Sequence, residues 1–591
     1  MIFGKNFNRY YLQYAPFILL GVLTLLVEDY IMLLVPNLYQ MTVNGINDGF
    51  VSQNGVQYAF DMDFLLDKIC MPMVLVIFAI LLGRFLWRIL FFGPAIRMER
   101  HLRDRMFYHA KTLSCQYYAV NKVGGLMSLF TNDLNTVQEC FGWGMVMTAD
   151  AAIMGSMSIM KMYEMDPLLT LFALIPMGLL LACATVVGKY MTRKWDVRQE
   201  AFSRLSDFSQ ESFSGIAVIK AFVKESVELL AFRKHNEENE KANLDHTKAS
   251  VLLRILVTLF VESVICIILG YGGYLVYQGI FNAGQLVEFI GYFTQIIYPI
   301  MAVSELIDMT SRGKASLDRI NQLLDAKQDV SDAPDARSMA EIRGDITFRD
   351  LTFRYPGADY DALKNISFSI TAGQSVGIVG RTGSGKTTLV DLILRTYNVP
   401  DGTVFVDGQD VNTVKIRDLR AGCAYVPQDN FLFSDTIANN ISFGTGDDDQ
   451  IHRAATLADI DGNIRSFPNG YETVLGERGV TVSGGQKQRI SIARALIKDA
   501  PILILDDSVS AVDTATEKTI LENLRTTRAG KTTILIAHRI STVEAMDKIL
   551  FLDEGRLVDA GTHRELEERC PAYRKMVTLQ KLNREGVDED A

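Results

Sequence analysis

Cysteine is sparse in this 591-residue chain. Its seven cysteines (Cys70, Cys115, Cys140, Cys183, Cys266, Cys423 and Cys570) are scattered and include no CxxC pair, which argues against a disulfide framework or a zinc site. Basic excess is missing too. The formal net charge is −10, which argues against nucleic acid as a partner. The N-terminal stretch MIFGKNFNRYYLQY is basic and aromatic and lacks a small-residue cleavage site after a short apolar run, so no cleavable signal peptide is expected. It reads instead as an interfacial helix on the cytoplasmic leaflet, with Lys5 and Arg9 near lipid phosphates. Long apolar runs are almost absent beyond about residue 310, where the chain reads as a soluble α/β protein. The length exceeds that of one compact core, and this asymmetry divides it.

What is present before residue 310 is a set of six apolar segments: Phe17–Leu38, Ile69–Phe92, Gly142–Met162, Pro167–Val187, Ile255–Tyr277 and Leu286–Met309. Each is near the ~20 residues a helix needs to cross the hydrocarbon layer. Only Tyr163–Asp166 joins the third and fourth, which predicts a tight hairpin. Between Phe92 and Gly142 lie Arg97, Arg100, Arg103, Arg105, Lys111 and Lys122, and the stretch from Gly188 to Arg254 is also basic. The first outer loop holds only Lys68 against Asp48, Asp61, Asp63 and Asp67. The positive-inside rule then places both termini in the cytoplasm. The two inner connections are helical in pattern, so the spanning helices are expected to continue into the cytoplasm and return, with tips near Tyr117–Gly125 and Gln210–Ala221. Glu28, Asp29, Arg84, Arg88, Asp150, Glu262, Glu305 and Asp308 interrupt the apolar runs. Charges in a span usually face a cavity or a partner. Glu28, Asp29 and Glu262 are therefore candidates for a polar path for cationic substrate, the plainer alternative being interhelical pairs.

Beyond a charged connector, Ser375–Val379 reads as a buried strand and Thr388–Leu394 as a helix. Between them runs Gly380-Arg381-Thr382-Gly383-Ser384-Gly385-Lys386-Thr387, followed by Thr388, which matches the P-loop pattern in full. The glycines let backbone N–H groups curl around phosphates, Lys386 adds charge at the β- and γ-phosphates, and the Thr387 hydroxyl can ligate Mg²⁺. A second metal arm is expected where an apolar strand ends in a carboxylate, and Ile502–Asp506 provides Asp506. These two motifs establish an NTPase with a Mg²⁺ site, but not its kind; that the nucleotide is ATP is implied only by a family resemblance in the segments that follow.

The segment Val482-Ser483-Gly484-Gly485-Gln486, ahead of a helix over Gln486–Ile497, resembles the signature of ATP-binding cassette (ABC) proteins, with Val where Leu is usual. The resemblance implies that Ser483, Gly484, Gly485 and Gln486 close over the γ-phosphate of ATP held by an opposite domain. It further implies that Tyr355 stacks on adenine, that Gln428 contacts Mg²⁺ and the coupling helices, and that His538 contacts the γ-phosphate. Leu475-Gly476-Glu477-Arg478 resembles an exporter-specific sensing loop, and Ser510-Ala511-Val512-Asp513 the loop, with Asp513, that links two sites across a dimer. The resemblance covers essentially the whole chain. It implies a membrane α-helical bundle of six spans with the type IV ABC exporter fold, followed by an α/β P-loop ABC ATPase domain. The expected boundaries are a transmembrane domain at 1–322 with an N-terminal elbow helix, a linker at 323–343, a nucleotide-binding domain at 344–580 and a flexible acidic tail at 581–591.

One position departs from the family. The Walker B aspartate is normally followed by glutamate, the general base that polarises the attacking water; here Asp507 follows Asp506. Its carboxylate sits back by one methylene. A displacement near 1 Å costs roughly 10²-fold, and loss of a general base about 10²–10⁴-fold. The resemblance then points to a bacterial heterodimeric multidrug exporter, in which this chain pairs with a second half-transporter and holds the degenerate site. Open alternatives are a homodimer in which Asp507 still works, a lipid or lipopeptide flippase, and an ATP-gated channel subunit. A peptide-processing exporter would need an N-terminal cysteine-protease domain, and none is expected. The remaining partners implied are the lipid bilayer of the cell membrane and a hydrophobic small molecule.

Overall fold

The structure is a computed structural model that describes residues 4–53, 56–476, 479, 481–510 and 512–588. Two compact units share the chain: Met1–Lys111 with Val123–Ala326, and Thr112–Lys122 with Lys327–Ala591. The second pairing sets the short stretch near the expected first tip with the ATPase unit rather than with the membrane helices. The stretch Gln210–Ala221 stays in the membrane unit.

Among the described residues, the membrane unit has six long helical stretches: Asn8–Asp48, Met62–Ala110, Leu134–Met165, Pro167–Ser214, Glu225–Tyr277 and Ala283–Leu324. Five are long and apolar enough to cross a membrane. The sixth, Leu134–Met165, contains the expected third span but carries Glu139, Asp150, Lys161 and Glu164. It packs against the first, second and last helices. A helix enclosed by protein faces little lipid, so polar groups along it cost less there. Bulky side chains such as Leu23, Leu75, Phe78 and Leu82 point outward, while Met154, Leu169, Met177, Ile268 and Phe289 fill the interior.

Three local features differ from expectation. No break separates an elbow helix from the first span, because Asn8–Met32 is one helix running through Pro16. The joint between the third and fourth spans is a single residue, Asp166, rather than Tyr163–Asp166. Asp166 has extended backbone (φ −157°), as the residue before a proline prefers, and its carboxylate caps the next helix by accepting from Leu169 N at 2.7 Å. Pro167 occupies the first turn, where no N–H is needed. The first outer loop holds an antiparallel hairpin, β1 (Phe50–Gln53) with β2 (Val56–Ala59).

The ATPase unit is built on two sheets. A four-stranded antiparallel sheet contains β3 (Ile346–Phe353), β4 (Leu363–Ile370), β6 (Val404–Val406) and β7 (Gln409–Asp410) in the order β4-β3-β6-β7. A six-stranded sheet contains β5 (Ser375–Gly380), β8 (Cys423–Val426), β9 (Ile502–Asp506), β10 (Thr532–Ile536), β11 (Lys548–Asp553) and β12 (Arg556–Gly561). Its order is β12-β11-β5-β10-β9-β8, parallel except for β12. Strands β9 and β10 are buried at every position, as parallel strands covered on both faces must be.

The expected linker is described throughout and the expected tail in part. The connector is stitched to the ATPase unit: Ile416 N donates to Asp332 at 2.8 Å, Arg337 N to Thr413 O at 2.8 Å, and Arg395 to Ser331 O at 3.0 Å. The last helix, Pro571–Asp588, runs through most of the expected tail.

Candidate nucleotide-binding site

Strand register builds this site. Ile536 of β10 pairs with Ile378 of β5 on one side and Asp506 of β9 on the other. The three chains therefore leave the sheet at one edge, bringing the P-loop, the Asp506–Asp507 pair and His538 together. In the P-loop, a Cβ on Gly380 would lie 2.1 Å from Leu552 O, so only glycine allows that approach. Gly385 has φ +94° and a Cβ there would meet Leu363 Cδ2 at 2.6 Å. It caps the helix Lys386–Ile393, which starts two residues earlier than predicted and points its free N–H groups at the loop.

Lys386 is buried, and its Nζ donates to Gly380 O at 3.0 Å and Arg381 O at 2.9 Å. The ammonium is thus parked on the cradle's own carbonyls, where phosphate oxygens can replace them. Burial lowers its pKa, against the opposing charges of Asp506 and Asp507.

The cavity at this edge has a volume of about 500 Å³. Tyr355, Thr382, Gly383, Gly385, Lys386, Thr387, Thr388, Gln428, Asp506, Asp507 and His538 all line it. Tyr355 donates its hydroxyl to Thr388 Oγ1 at 2.9 Å and meets the rings of Phe353 and Tyr397 edge-on. Burial pushes its phenol up to about 12.

The residues present fit a Mg²⁺ ion. Asp506 is 1% exposed, lies beside the Thr387 hydroxyl, and has a buried Oδ2 with no partner among the described residues. Burial raises its pKa, an effect that a nearby cation would reverse. Thr387, Asp506 and Gln428 form the hard oxygen donor set that Mg²⁺ takes alongside phosphate oxygens. When bound, the ion neutralises charge on the phosphates.

Asp507 is held rigidly from three directions. Its N donates to Ile536 O at 3.0 Å, and its O accepts from Gln488 Nε2 at 3.1 Å and Ser510 Oγ at 2.9 Å. Its φ is +47°, a left-handed conformation that aspartate tolerates better than most residues. His538 Nε2 stands 4.0 Å from its Oδ2.

The signature residues lie outside this cavity. Ser483 caps the helix Gly484–Ile497, accepting from Gln486 N while Gln486 Oε1 accepts from Ser483 N at 3.0 Å. Ser483 and Gly484 are exposed. Asp513 caps the helix Thr514–Thr527 by accepting from Thr516 N at 3.0 Å. Leu475 is buried and bonded to Asp435 O, whereas Glu477, Arg478 and Ala511 lie outside the described residues. Tyr360, Lys364 and Gly555 also line the cavity. They belong to no motif: Tyr360 lies in the turn from Tyr355 to β4, Lys364 in β4 itself, and Gly555 in the turn between β11 and β12.

The three membrane candidates do not form one path. Glu28 is buried and pairs with Arg84 Nε at 3.3 Å, which is the interhelical alternative. Asp29 is buried. Glu262 is exposed on a different helix.

Comparison with known proteins agrees with this geometry. Residues 363–510 match the family model described as ABC transporter, and residues 18–300 that of the ABC transporter transmembrane region. The chain is 36% identical to the probable multidrug resistance ABC transporter ATP-binding/permease protein YheI of Bacillus subtilis, over 98% of this chain and 97% of that protein. It is 34% identical to the multidrug resistance-like ATP-binding protein MdlA of Escherichia coli, over 100% of this chain and 97% of that protein. A solved bacterial Atm1-family ABC exporter with ATP bound superimposes with a TM-score of 0.80 at 28% identity, covering 96% of this chain and 98% of that one. The chain belongs to the ABC transporter family: it joins a transmembrane region of the type IV exporter fold to an ATP-hydrolysing domain, as multidrug exporter half-transporters do.

Proposed function

We propose that the chain exports hydrophobic or amphipathic, drug-like compounds across the cell membrane by alternating access, as one subunit of a heterodimer. Its termini and ATPase domain lie in the cytoplasm. The similarity to YheI and MdlA, which are named for multidrug resistance, supports the substrate class. The observation that carries the pairing is Asp507, a short carboxylate fixed at the position of the general base.

Lys386 and the backbone N–H groups of Gly383–Lys386 hold the phosphates, Tyr355 supports the adenine, and Thr387, Gln428 and Asp506 hold Mg²⁺. Asp507 polarises water poorly, so the nucleotide dwells at this site. His538 senses the γ-phosphate, and its contact ends on cleavage. The Ser483–Gln486 segment, exposed at Ser483 and Gly484, completes the site on the partner's P-loop, where turnover runs at the normal rate. Asp513 links the two sites.

Reconstitution tests this reading. The chain and a candidate partner half-transporter are placed in liposomes, together and separately, and ATP-dependent uptake of a lipophilic fluorescent compound into inside-out vesicles is followed. Uptake by the pair and none by either chain alone is expected. Full transport and turnover by this chain alone would sink the heterodimer. Turnover stimulated by lipid alone, with no uptake of the compound, would sink the drug-like cargo.

A further inference from the structure

The ATPase unit holds another cavity, of about 550 Å³, that shares no lining residue with the nucleotide site. The helix Thr514–Thr527 lines it with Leu521 and Leu524, strands β9 and β10 with Leu505 and Leu535, and the stretch Ser541–Asp547 with Met546. A cavity of this size and apolar lining suits a small organic molecule. We propose that it binds a small amphipathic carboxylate, whose apolar body lies on these side chains and whose charged group pairs with Arg528.

The charges on the lining carry the choice of ligand. Among the described residues, two ionisable side chains of the lining are buried, Glu517 and Arg528, each 6% exposed. Glu517 is satisfied: it accepts from the Thr542 hydroxyl and pairs with Arg539 at 3.5 Å. Arg528 is oriented but not neutralised. Its Nε donates to Thr533 Oγ1 at 3.1 Å, and its Nη2 to the carbonyls of Ala500, Pro501 and Thr532 at 3.0, 3.2 and 3.1 Å. These acceptors carry no formal charge. Asp499, the carboxylate whose charge reaches it, is held by Lys531 at 2.6 Å. Arg528 Nη1 has no hydrogen-bond partner among the described residues, yet it is not sealed from solvent.

A buried charge without a counter-charge is costly, and a guanidinium matches a carboxylate in shape and hydrogen bonding. Burial pushes the pKa of Arg528 down to about 10, an effect that an anion beside it opposes. The exposed rim does not compete for the ligand's charge. Lys518 and Arg525 offset Glu522 and Glu544, and Asp547 accepts from Ser375 N at 2.8 Å and Ser375 Oγ at 2.7 Å. One unpaired guanidinium on an otherwise balanced lining calls for one negative charge, which a carboxylate supplies and a phosphate dianion exceeds.

The proposal is independent of the cargo and of the pairing of subunits. Fluorine NMR of a fluoronaphthoate, an aromatic carboxylate, with the full chain in lipid nanodiscs tests it, binding to empty nanodiscs being subtracted. Saturable binding is expected. It should weaken roughly 10- to 100-fold in Arg528→Met, which removes the charge, and by a similar factor when the neutral amide of the probe is used instead. Ala545→Trp, which sets an indole on the lining from an exposed turn, should abolish it. Saturating ATP should leave the probe bound, because the two cavities are separate. Unchanged binding in both variants would overturn the proposal, as would equal affinity for the amide or displacement by ATP. Should Arg528→Met fail to fold for want of its carbonyl contacts, Ala545→Trp and the amide still decide; a wild type with no saturable binding refutes it.

Discussion

Replacing Asp507 with glutamate should speed hydrolysis at this chain's own site. The backbone of Asp507 cannot advance, because Ile536, Gln488 and Ser510 hold its N and O at 2.9–3.1 Å. Any gain in reach must come from the side chain, and one more methylene adds about 1.3 Å, a C–C bond projected along the chain. A shortfall near 1 Å is worth roughly 10²-fold in positioning. Asp507→Glu should therefore raise the hydrolysis rate about 30- to 300-fold, with nucleotide affinity unchanged because Lys386 and the P-loop are untouched. Glutamate at φ +47° costs about 1 kcal/mol more than aspartate, so a slightly lower melting temperature should accompany the gain. The assay is single-turnover phosphate release from the assembled transporter, with any other site silenced by alanine in place of its P-loop lysine. An unchanged or slower rate with intact binding would refute the reasoning. It would show that the longer carboxylate is diverted, His538 at 4.0 Å being the obvious competitor.

Two further predictions test the cradle and its surroundings. Gly385→Ala and Gly383→Ala share a positive φ, but only the first drives its Cβ into Leu363 at 2.6 Å, the second facing open space. Both variants carry the ~1–2 kcal/mol of left-handed strain, a fall of at most roughly 5- to 30-fold in binding of a fluorescent ATP analogue, and Gly385→Ala should lose about a further 10-fold or more through its clash; equal losses would refute the packing account. Asp391 has a pKa raised to about 6 by burial, with the Asp506 charge adding to it, so its ionisation opposes folding as pH rises from about 4 through about 6. Asp391→Asn should thus stabilise the full chain by up to about 2–3 kcal/mol at pH 8 and by nothing at pH 4, read as thermal midpoints; a pH-independent gain would contradict it.

The nucleotide site was legible because its chemistry dictates residue types at fixed spacing. Gly380, Gly385, Lys386 and Thr387 must be what they are for a backbone to wrap phosphate, and the cavity gathers the last three with Asp506, Gln428 and His538. Helix starts were less legible. Both the P-loop and the signature helices begin two residues early, because Gly385 and Ser483 serve as caps and draw the next residues into the first turn. The outer hairpin had a signal in Asn54-Gly55 between β-prone runs. Pairing across the bundle had none. Glu28 and Arg84 are 56 positions apart, and only packing brings them together. The third span was found by its length, yet its polarity makes sense only once its neighbours are known to surround it.

The alignment of Ile378, Ile536 and Asp506 on adjacent central strands has a consequence for how activity can be tuned. Their amides are bonded deep in the sheet, so their hydrogen exchange should track unfolding of the whole domain rather than local fraying. The scaffold under the phosphates is then a fixed anvil, with no soft joint by which a catalytic group could drift forward or back. What such a scaffold leaves free is the length of the side chain standing on it. On the proposed reading, Asp507 is that dial at its short setting, and one carbon atom sets the rate.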